Sequence, residues 1–444
     1  MHFTANEVAR AVEGELVGDD VAIDSASIDS RSVRPGQLFV PIVAERDGHE
    51  FVQAAAAAGA AAYLSSAGAV PGVDLPVITV IDTAAALADV GSVARDKLPD
   101  RVVGVTGSVG KTSTKDLLAG VLATTYRTTA SEKSFNNELG LPLTLAGAPD
   151  DTEAVVVEMG ARGIGHIDLL CRIARPYVGI ITRVEGVHLE LFGDIESVAI
   201  AKGELVEALP VDGLAVLNAD HQLVAAMADR TDARVIEFGL TPAADVYASD
   251  VTLDDQLRAS FRMHTPWGTT DVRLAARGEH QVPNALAAAA AAGGLGVPVD
   301  AMPDGLRGAA LSGLRMELAT TDAGLTILND AYNANPTSMA AALRSLHSLT
   351  ARRRFAVLGT MAELGDDSAR EHAAIAAMAR DLGVVVIAVD EPAYGDGVTH
   401  VADVAGALAA LGDLGGGDLG DGDAVLVKGS RVAALERVAD ALTR

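Results

Sequence analysis

Cysteine and aromatic residues are what this chain has least of: one Cys, one Trp and an aromatic share of 3% in 444 residues. Cys171 alone excludes an intrachain disulfide, and that usage points to a cytosolic protein. With few aromatics, Val, Leu, Ile and Ala must fill the cores, and a hydrophobic content of 49% supplies enough of them for a globular fold. No run approaches the ~18 apolar residues of a membrane span. The Ala-rich segments 54–62 and 285–292 are too short and too weakly apolar, and the N-terminus lacks the charged-then-apolar layout of a signal peptide. Positive charge is scarce too: 34 Lys and Arg against 60 Asp and Glu leave a net charge of −26. Such a surface repels nucleic acid and anionic lipid, so neither is an expected partner. An anionic small molecule must then be captured by local devices, and the chain is expected to act as a monomer.

One such device is plain. Residues 102–105 form a β-branched run that flows into Thr106-Gly107-Ser108-Val109-Gly110-Lys111-Thr112-Ser113 and then into an apolar helix. Glycines let the backbone curl its N–H groups toward phosphates, and the following helix presents its positive N-terminus. Lys111 can reach terminal phosphates and the Thr112 hydroxyl can ligate Mg²⁺. The spacing is unusual, because five residues separate Gly104 from Gly110 where four are common.

The length suggests about three domains. Thr4-Ala-Asn-Glu7 reads as a capping box opening a short helix that Gly14 can close. Strands are predicted at 38–42, 62–64 and 77–81, and helices near 50–58 and 83–97. Leu98-Pro99-Asp100 breaks the pattern, which places domains at 1–98 and 99–312. In the second, parallel-type strands are predicted at 154–158, 178–182, 214–218 and 234–238, and an antiparallel hairpin within 251–274 around Thr265-Pro-Trp-Gly-Thr269. Residues 313–444 repeat an α/β rhythm: strands 325–329, 355–358, 384–389 and 424–427, helices 336–348, 367–382 and 432–442, and a flexible Gly/Asp loop at 412–422.

Several polar residues stand where apolar strands end, the place where open α/β sheets bind ligands. Glu158 closes one run and is either a Mg²⁺ ligand or a solvated strand-end carboxylate. His188 is either a metal ligand or a loop imidazole, and Lys202-Gly203-Glu204 reads as surface charge. Asn284 can meet an adenine edge or serve a helix start, and Arg315 can cross to phosphates from the next domain or stay on the surface. Asp330-Ala-Tyr332-Asn333-Ala-Asn335-Pro336 packs four hydrogen-bonding side chains into six residues, more than a turn needs.

Taken together, these residues resemble the Mur ligases. The likeness runs through Asp29-Ser30-Arg31, Asp47-Gly-His49, the loop 105–113, Asn136-Asn137, Glu158-Met-Gly, His188-Leu-Glu190, Ala201-Lys202-Gly-Glu204, Asp330-Ala-Tyr-Asn-Ala-Asn-Pro336 and Met361-Ala-Glu-Leu-Gly365. Gln281 and Thr360 stand where the family often carries Asn and Asp. The last two motifs are similar to the branch that adds D-alanyl-D-alanine to UDP-N-acetylmuramoyl-tripeptide. The resemblance implies a three-domain α/β protein: a small N-terminal substrate domain, a central ATPase domain with a mostly parallel sheet, and a Rossmann-like C-terminal domain. It implies ATP and two Mg²⁺ ions, held by Thr112, Glu158, His188 and a carbamylated Lys202, with Lys111 on the phosphates. It places Gly107, Ser108, Gly110, Ser113, Asn284, Arg315 and Asp330 around the nucleotide, and Ser30, Arg31, Asn137, Tyr332 and Asn333 around the substrates. The rival reading, a P-loop kinase or regulatory NTPase, predicts a phosphoacceptor pocket or switch region instead of two flanking domains.

Overall fold

The computed structural model describes residues 1–444 apart from 133–134, 187–188, 418 and 444. At the N-terminus both capping-box bonds form: the Glu7 amide donates to Thr4 Oγ1 at 3.1 Å and the Thr4 amide to Glu7 Oε2 at 2.9 Å. They open the helix Ala5–Ala11. It is not Gly14 that turns the chain, because Glu13 takes the left-handed conformation with φ 50°. Gly14 is required for closeness instead: a Cβ there would lie 2.6 Å from the Thr79 carbonyl oxygen. A five-stranded sheet follows, ordered Glu15–Val17, Val77–Thr79, Ala62–Ser65, Leu38–Phe39 and Ala26–Ser27. Its first pair is antiparallel and the rest parallel.

Among the described residues the middle of the chain forms a nine-stranded sheet. Six parallel strands run Arg234–Gly239, Leu214–Asn218, Val178–Ile181, Val102–Thr106, Ala154–Glu158 and Thr128–Ala130. Four of these read as β-branched or aliphatic runs buried on both faces, as parallel strands covered by helices must be. The expected hairpin is present as Arg258–Thr265 and Gly268–Arg277, but a third strand, Val246–Leu253, precedes it and joins it to the parallel part. Sequence pattern alone missed it because its exposed face breaks the apolar run. The Ala-rich helix Gln281–Gly294 packs on this sheet beside the helix Lys111–Leu122, with Ala285 through Ala292 fully buried; small side chains let it fit closely against both.

The C-terminal sheet is ordered Glu317–Thr320, Thr326–Asn329, Asp423–Lys428, Arg353–Leu358, Val385–Val389 and Thr399–Val401, with only the first strand antiparallel. The helix Val404–Leu414 takes the first three residues of the stretch read as a flexible loop. Apolar packing is distributed unevenly. One cluster runs from the N-terminal sheet through Leu87 and Val90 into Leu141, Ile167 and Leu205 of the middle unit. The C-terminal sheet has two further clusters, one on each face, the first of which also takes in Leu257 of the middle unit.

Candidate functional site

The strand Val102–Thr106 ends at the phosphate-type loop, and its glycines are fixed by geometry. Gly110 has φ 87°, and a Cβ there would lie 2.5 Å from Asn284 Oδ1; at Gly107, φ 144°, a Cβ would lie 2.0 Å from Thr182 Oγ1. No other residue fits either position. The loop is fastened to the end of the next strand. Ser108 N–H donates to the Arg183 carbonyl at 2.7 Å, Glu185 N–H to Ser108 Oγ at 2.9 Å, and the Thr182 hydroxyl to the Val109 carbonyl at 2.6 Å. Residue 109 thus contributes its backbone rather than its side chain.

At the helix start, the Lys111 ammonium donates to the Gly107 carbonyl at 2.8 Å. Desolvation lowers its pKa, opposed by the Glu158 carboxylate and reinforced by the Arg315 guanidinium. The Thr112 hydroxyl donates to Glu158 Oε2 at 2.8 Å, and the other carboxylate oxygen accepts from Asn136 Nδ2 at 2.9 Å. Glu158 is 1% exposed, so the solvated strand-end alternative is ruled out. Arg315 arrives on the segment that leads from the central to the C-terminal domain: its Nη2 donates to Thr112 Oγ1 at 3.0 Å, its guanidinium carbon lies 4.2 Å from the Tyr332 ring centre, and its Nε is buried without a partner among the described residues.

Lys202, Gly203 and Glu204 correct the expectation of surface charge, since all three are buried on the helix Ile195–Glu207. The Glu204 carboxylate accepts the amides of Gly165 at 2.5 Å and Asp168 at 2.9 Å, capping the helix His166–Ala174. Lys202 is 2% exposed and its ammonium makes no hydrogen bond among the described residues. Burial and then the charge of Lys111 bring its pKa down to about 7, against the pull of Glu158 and Glu204. His188 lies outside the described residues.

Ser113 and Asn284 are joined through Gln281, whose Nε2 lies 3.5 Å from Ser113 Oγ while its Oε1 accepts from Asn284 Nδ2 at 2.9 Å. Asp330 stands at the end of the strand Thr326–Asn329 and accepts the Met316 amide at 3.1 Å and the Lys428 ammonium at 2.5 Å. Lys428 also donates to the Asn333 carbonyl at 2.8 Å. The Asn333 side chain is exposed, and Asn335 is spent on capping the helix Pro336–Ser348. Asn137 accepts the Gly140 amide at 2.9 Å, whereas its neighbour Asn136 holds Glu158. Arg31 is 87% exposed and grips Asp29 through two bonds of 2.9 and 2.8 Å, which hold the Asp29 carboxyl at about 2; Ser30 lies beside them. These two belong to the N-terminal unit, apart from the cluster around Thr112. Asn136 stands in a family motif without a role of its own there, and Lys428 escaped sequence reasoning altogether. The signal for Lys428 was its place at the carboxyl end of the buried run 424–427.

Among the described residues no group of three or more His, Cys, Asp or Glu forms a cation cage. The hydroxyl of Thr112 beside the carboxylate of Glu158 fits the sparser demand of Mg²⁺, which takes one or two carboxylates and completes its octahedron with water and phosphate oxygens.

Three family models match the chain: the Mur ligase family, catalytic domain, over residues 22–95; the Mur ligase middle domain over 105–292; and the Mur ligase, glutamate ligase domain over 314–431. A UDP-N-acetylmuramoyl-tripeptide--D-alanyl-D-alanine ligase of Mycobacterium bovis is 40% identical, covering 100% of this chain and 98% of the relative. The Escherichia coli protein of that name is 34% identical, with 99% and 98% covered. A MurF structure from Acinetobacter baumannii superposes with a TM-score of 0.89 at 29% identity, over 100% of this chain and 99% of that one. A MurF ligase from Thermotoga maritima, solved in complex with ADP, gives 0.80 at 27% identity over 94% and 96%.

Proposed function

The chain belongs to the Mur ligase family, and from that membership we propose that it is an ATP-dependent ligase joining D-alanyl-D-alanine to UDP-N-acetylmuramoyl-tripeptide in peptidoglycan precursor synthesis. The observation that carries the chemistry is the convergence on Thr112: a hydroxyl at the start of the loop helix meets Glu158 of one sheet and Arg315 from the approach to another. In this reading the terminal carboxylate of the tripeptide attacks the γ-phosphorus of ATP, a P–O bond forms as the bond to ADP breaks, and an acyl phosphate results. The dipeptide amine then attacks the acyl carbon, the tetrahedral intermediate expels phosphate, and the amine proton is released.

The first step brings two anions together, and Lys111 and Arg315 offset that repulsion. Backbone N–H groups of Gly107, Gly110 and Ser113 cradle the phosphates, whereas the Ser108 amide, read as a fourth donor, is spent on the Arg183 carbonyl; Asn284 meets the adenine and Asp330 closes the nucleotide site from the C-terminal domain. Thr112 and Glu158 would hold one magnesium, with Asn136 orienting the carboxylate, and His188 and a carbamylated Lys202 would hold a second. Magnesium, when bound, screens the phosphate charge from the incoming carboxylate. Lys202 suits carbamylation because its amine is neutral for a large fraction of the time near pH 7. An ammonium cannot ligate a cation, whereas the carbamate formed from that amine and CO₂ can. Ser30 and Arg31 take the UDP-sugar, and Asn137, Tyr332 and Asn333 the peptide parts. No described helix is long and apolar enough to cross a membrane, and we place the monomeric enzyme in the cytoplasm with its ATP and nucleotide-sugar substrates.

The deciding measurement is phosphate release from ATP with each substrate withheld in turn. Release is expected only with UDP-sugar tripeptide and D-alanyl-D-alanine both present. ATP turnover indifferent to the dipeptide would refute the ligase reading.

A further inference from the structure

The segment that carries Arg315 does not hang free between the central and C-terminal domains. Leaving the helix Met302–Gly308, it runs along one face of the loop helix Lys111–Leu122, meeting it at positions four residues apart, which share a face. At Gly120 the approach is so close that a Cβ would lie 2.6 Å from the Gly305 carbonyl oxygen and 2.9 Å from Ala309 Cβ. At Asp116 the carboxylate accepts the Ser312 amide at 2.7 Å. At Thr112 the hydroxyl accepts from Arg315.

Asp116 is itself braced. Its other oxygen lies 2.8 Å from the Lys115 ammonium, both side chains are almost fully buried, and Lys115 donates to the Ser131 carbonyl at 2.7 Å. The Ser131 hydroxyl in turn accepts the Glu158 amide at 3.3 Å. A buried ion pair of this kind is costly unless its geometry is well satisfied, and the nucleotide chemistry proposed above makes no use of it.

We infer that Asp116 is a positioning residue: by holding the Ser312 amide it sets the register of segment 309–315 on the loop helix and so keeps the Arg315 guanidinium at Thr112. A one-residue slip of extended chain moves its end by about 3.3 Å, more than a hydrogen bond tolerates. With Ser312 fastened, only residues 313–316 remain between the anchor and the C-terminal sheet. There, Leu314 and Met316 on either side of Arg315 take left-handed φ values of 59° and 54°. The Met316 amide is taken by Asp330 and the Leu314 carbonyl by Tyr332 N–H. Arg315 is thus gripped from the central domain on one side and the C-terminal domain on the other.

The inference rests on the reading that Arg315 serves the phosphates of ATP, and a double-mutant cycle on the full chain separates the two. The readout is phosphate release with ATP, UDP-sugar tripeptide and D-alanyl-D-alanine. Arg315→Ala is expected to lower kcat by about 100-fold. No loss there would fail the reading of Arg315 and take the inference with it. Asp116→Ala is expected to lower kcat by about 10-fold with the KM for UDP-sugar tripeptide unchanged, and to cost less than about 2-fold in the Arg315→Ala background. A wild-type kcat for Asp116→Ala, or a loss that persists undiminished without Arg315, overturns the inference while leaving the role of Arg315 intact. If Asp116→Ala does not fold, Ser312→Pro deletes the donated N–H and leaves the Asp116–Lys115 pair in place, and the same two outcomes apply.

Discussion

Two lysines, Lys202 in the central domain and Lys428 in the C-terminal one, are each only 2% exposed, yet their surroundings are opposite. Lys428 closes a strand and meets the Asp330 carboxylate, the Asp330 carbonyl and the Asn333 carbonyl, so its three donors are used. Lys202 sits on a helix, makes no hydrogen bond among the described residues, and is faced by a second cation, Lys111. Depth of burial is therefore a poor guide to what a lysine does. A buried ammonium with partners joins loops together; one without partners has its charged form disfavoured and becomes a neutral amine, open to chemistry.

The comparison can be broken in four ways. The largest effect is expected for Lys202→Ala, a loss on the order of 10³-fold in kcat that short carboxylic acids or bicarbonate partly restore; absence of rescue counts against the carbamate. Next, Lys428→Met leaves the partly buried Asp330 without its cation and is expected to destabilise the C-terminal domain by about 3 kcal/mol in urea unfolding, whereas an unchanged midpoint would mean that the pair is dispensable. Third, Lys202→Met should stabilise the fold near pH 7 in CO₂-free buffer. The sign follows from the folded value of about 7 lying below the ordinary 10.5: between those values the unfolded chain binds the extra proton, so wild type gains stability as pH rises and the variant's advantage fades toward pH 10.5. An advantage independent of pH would refute the depressed amine. The smallest effect is expected for Asn136→Ala, about 10-fold in kcat/KM for ATP through loss of the bond that orients Glu158.

Much of the central fold was legible because its signals are local. The strand Ala154–Glu158 and the helix Pro336–Ser348 fall where β-branched runs, proline and a capping Asn put them. The strands Val246–Leu253 and Glu317–Thr320 were missed because both are half exposed and their apolar residues alternate with polar ones in short runs. The same limit applies to the site. Lys111 and Thr112 announce themselves through the glycine loop, but Asn136 and Lys428 act on groups 22 and 98 residues away. Lys202-Gly203-Glu204 misled for a related reason: three residues of that composition are hydrophilic on any scale, and only the neighbouring helix, whose amides Glu204 caps, makes burial affordable.

By itself, then, the sequence determined the α/β architecture, the phosphate loop and the set of polar residues at strand ends, because backbone propensity and hydrophobic period act over a few residues. Tertiary structure alone decided which of those residues meet. Glu158 is paired rather than solvated, Lys202 makes no hydrogen bond among the described residues while Lys428 makes three, and Asp116, read only as part of a helix, holds the strand of chain that brings Arg315 to Thr112. Charge and hydrogen bonding depend on what faces a group across space, and the chain's order does not contain that.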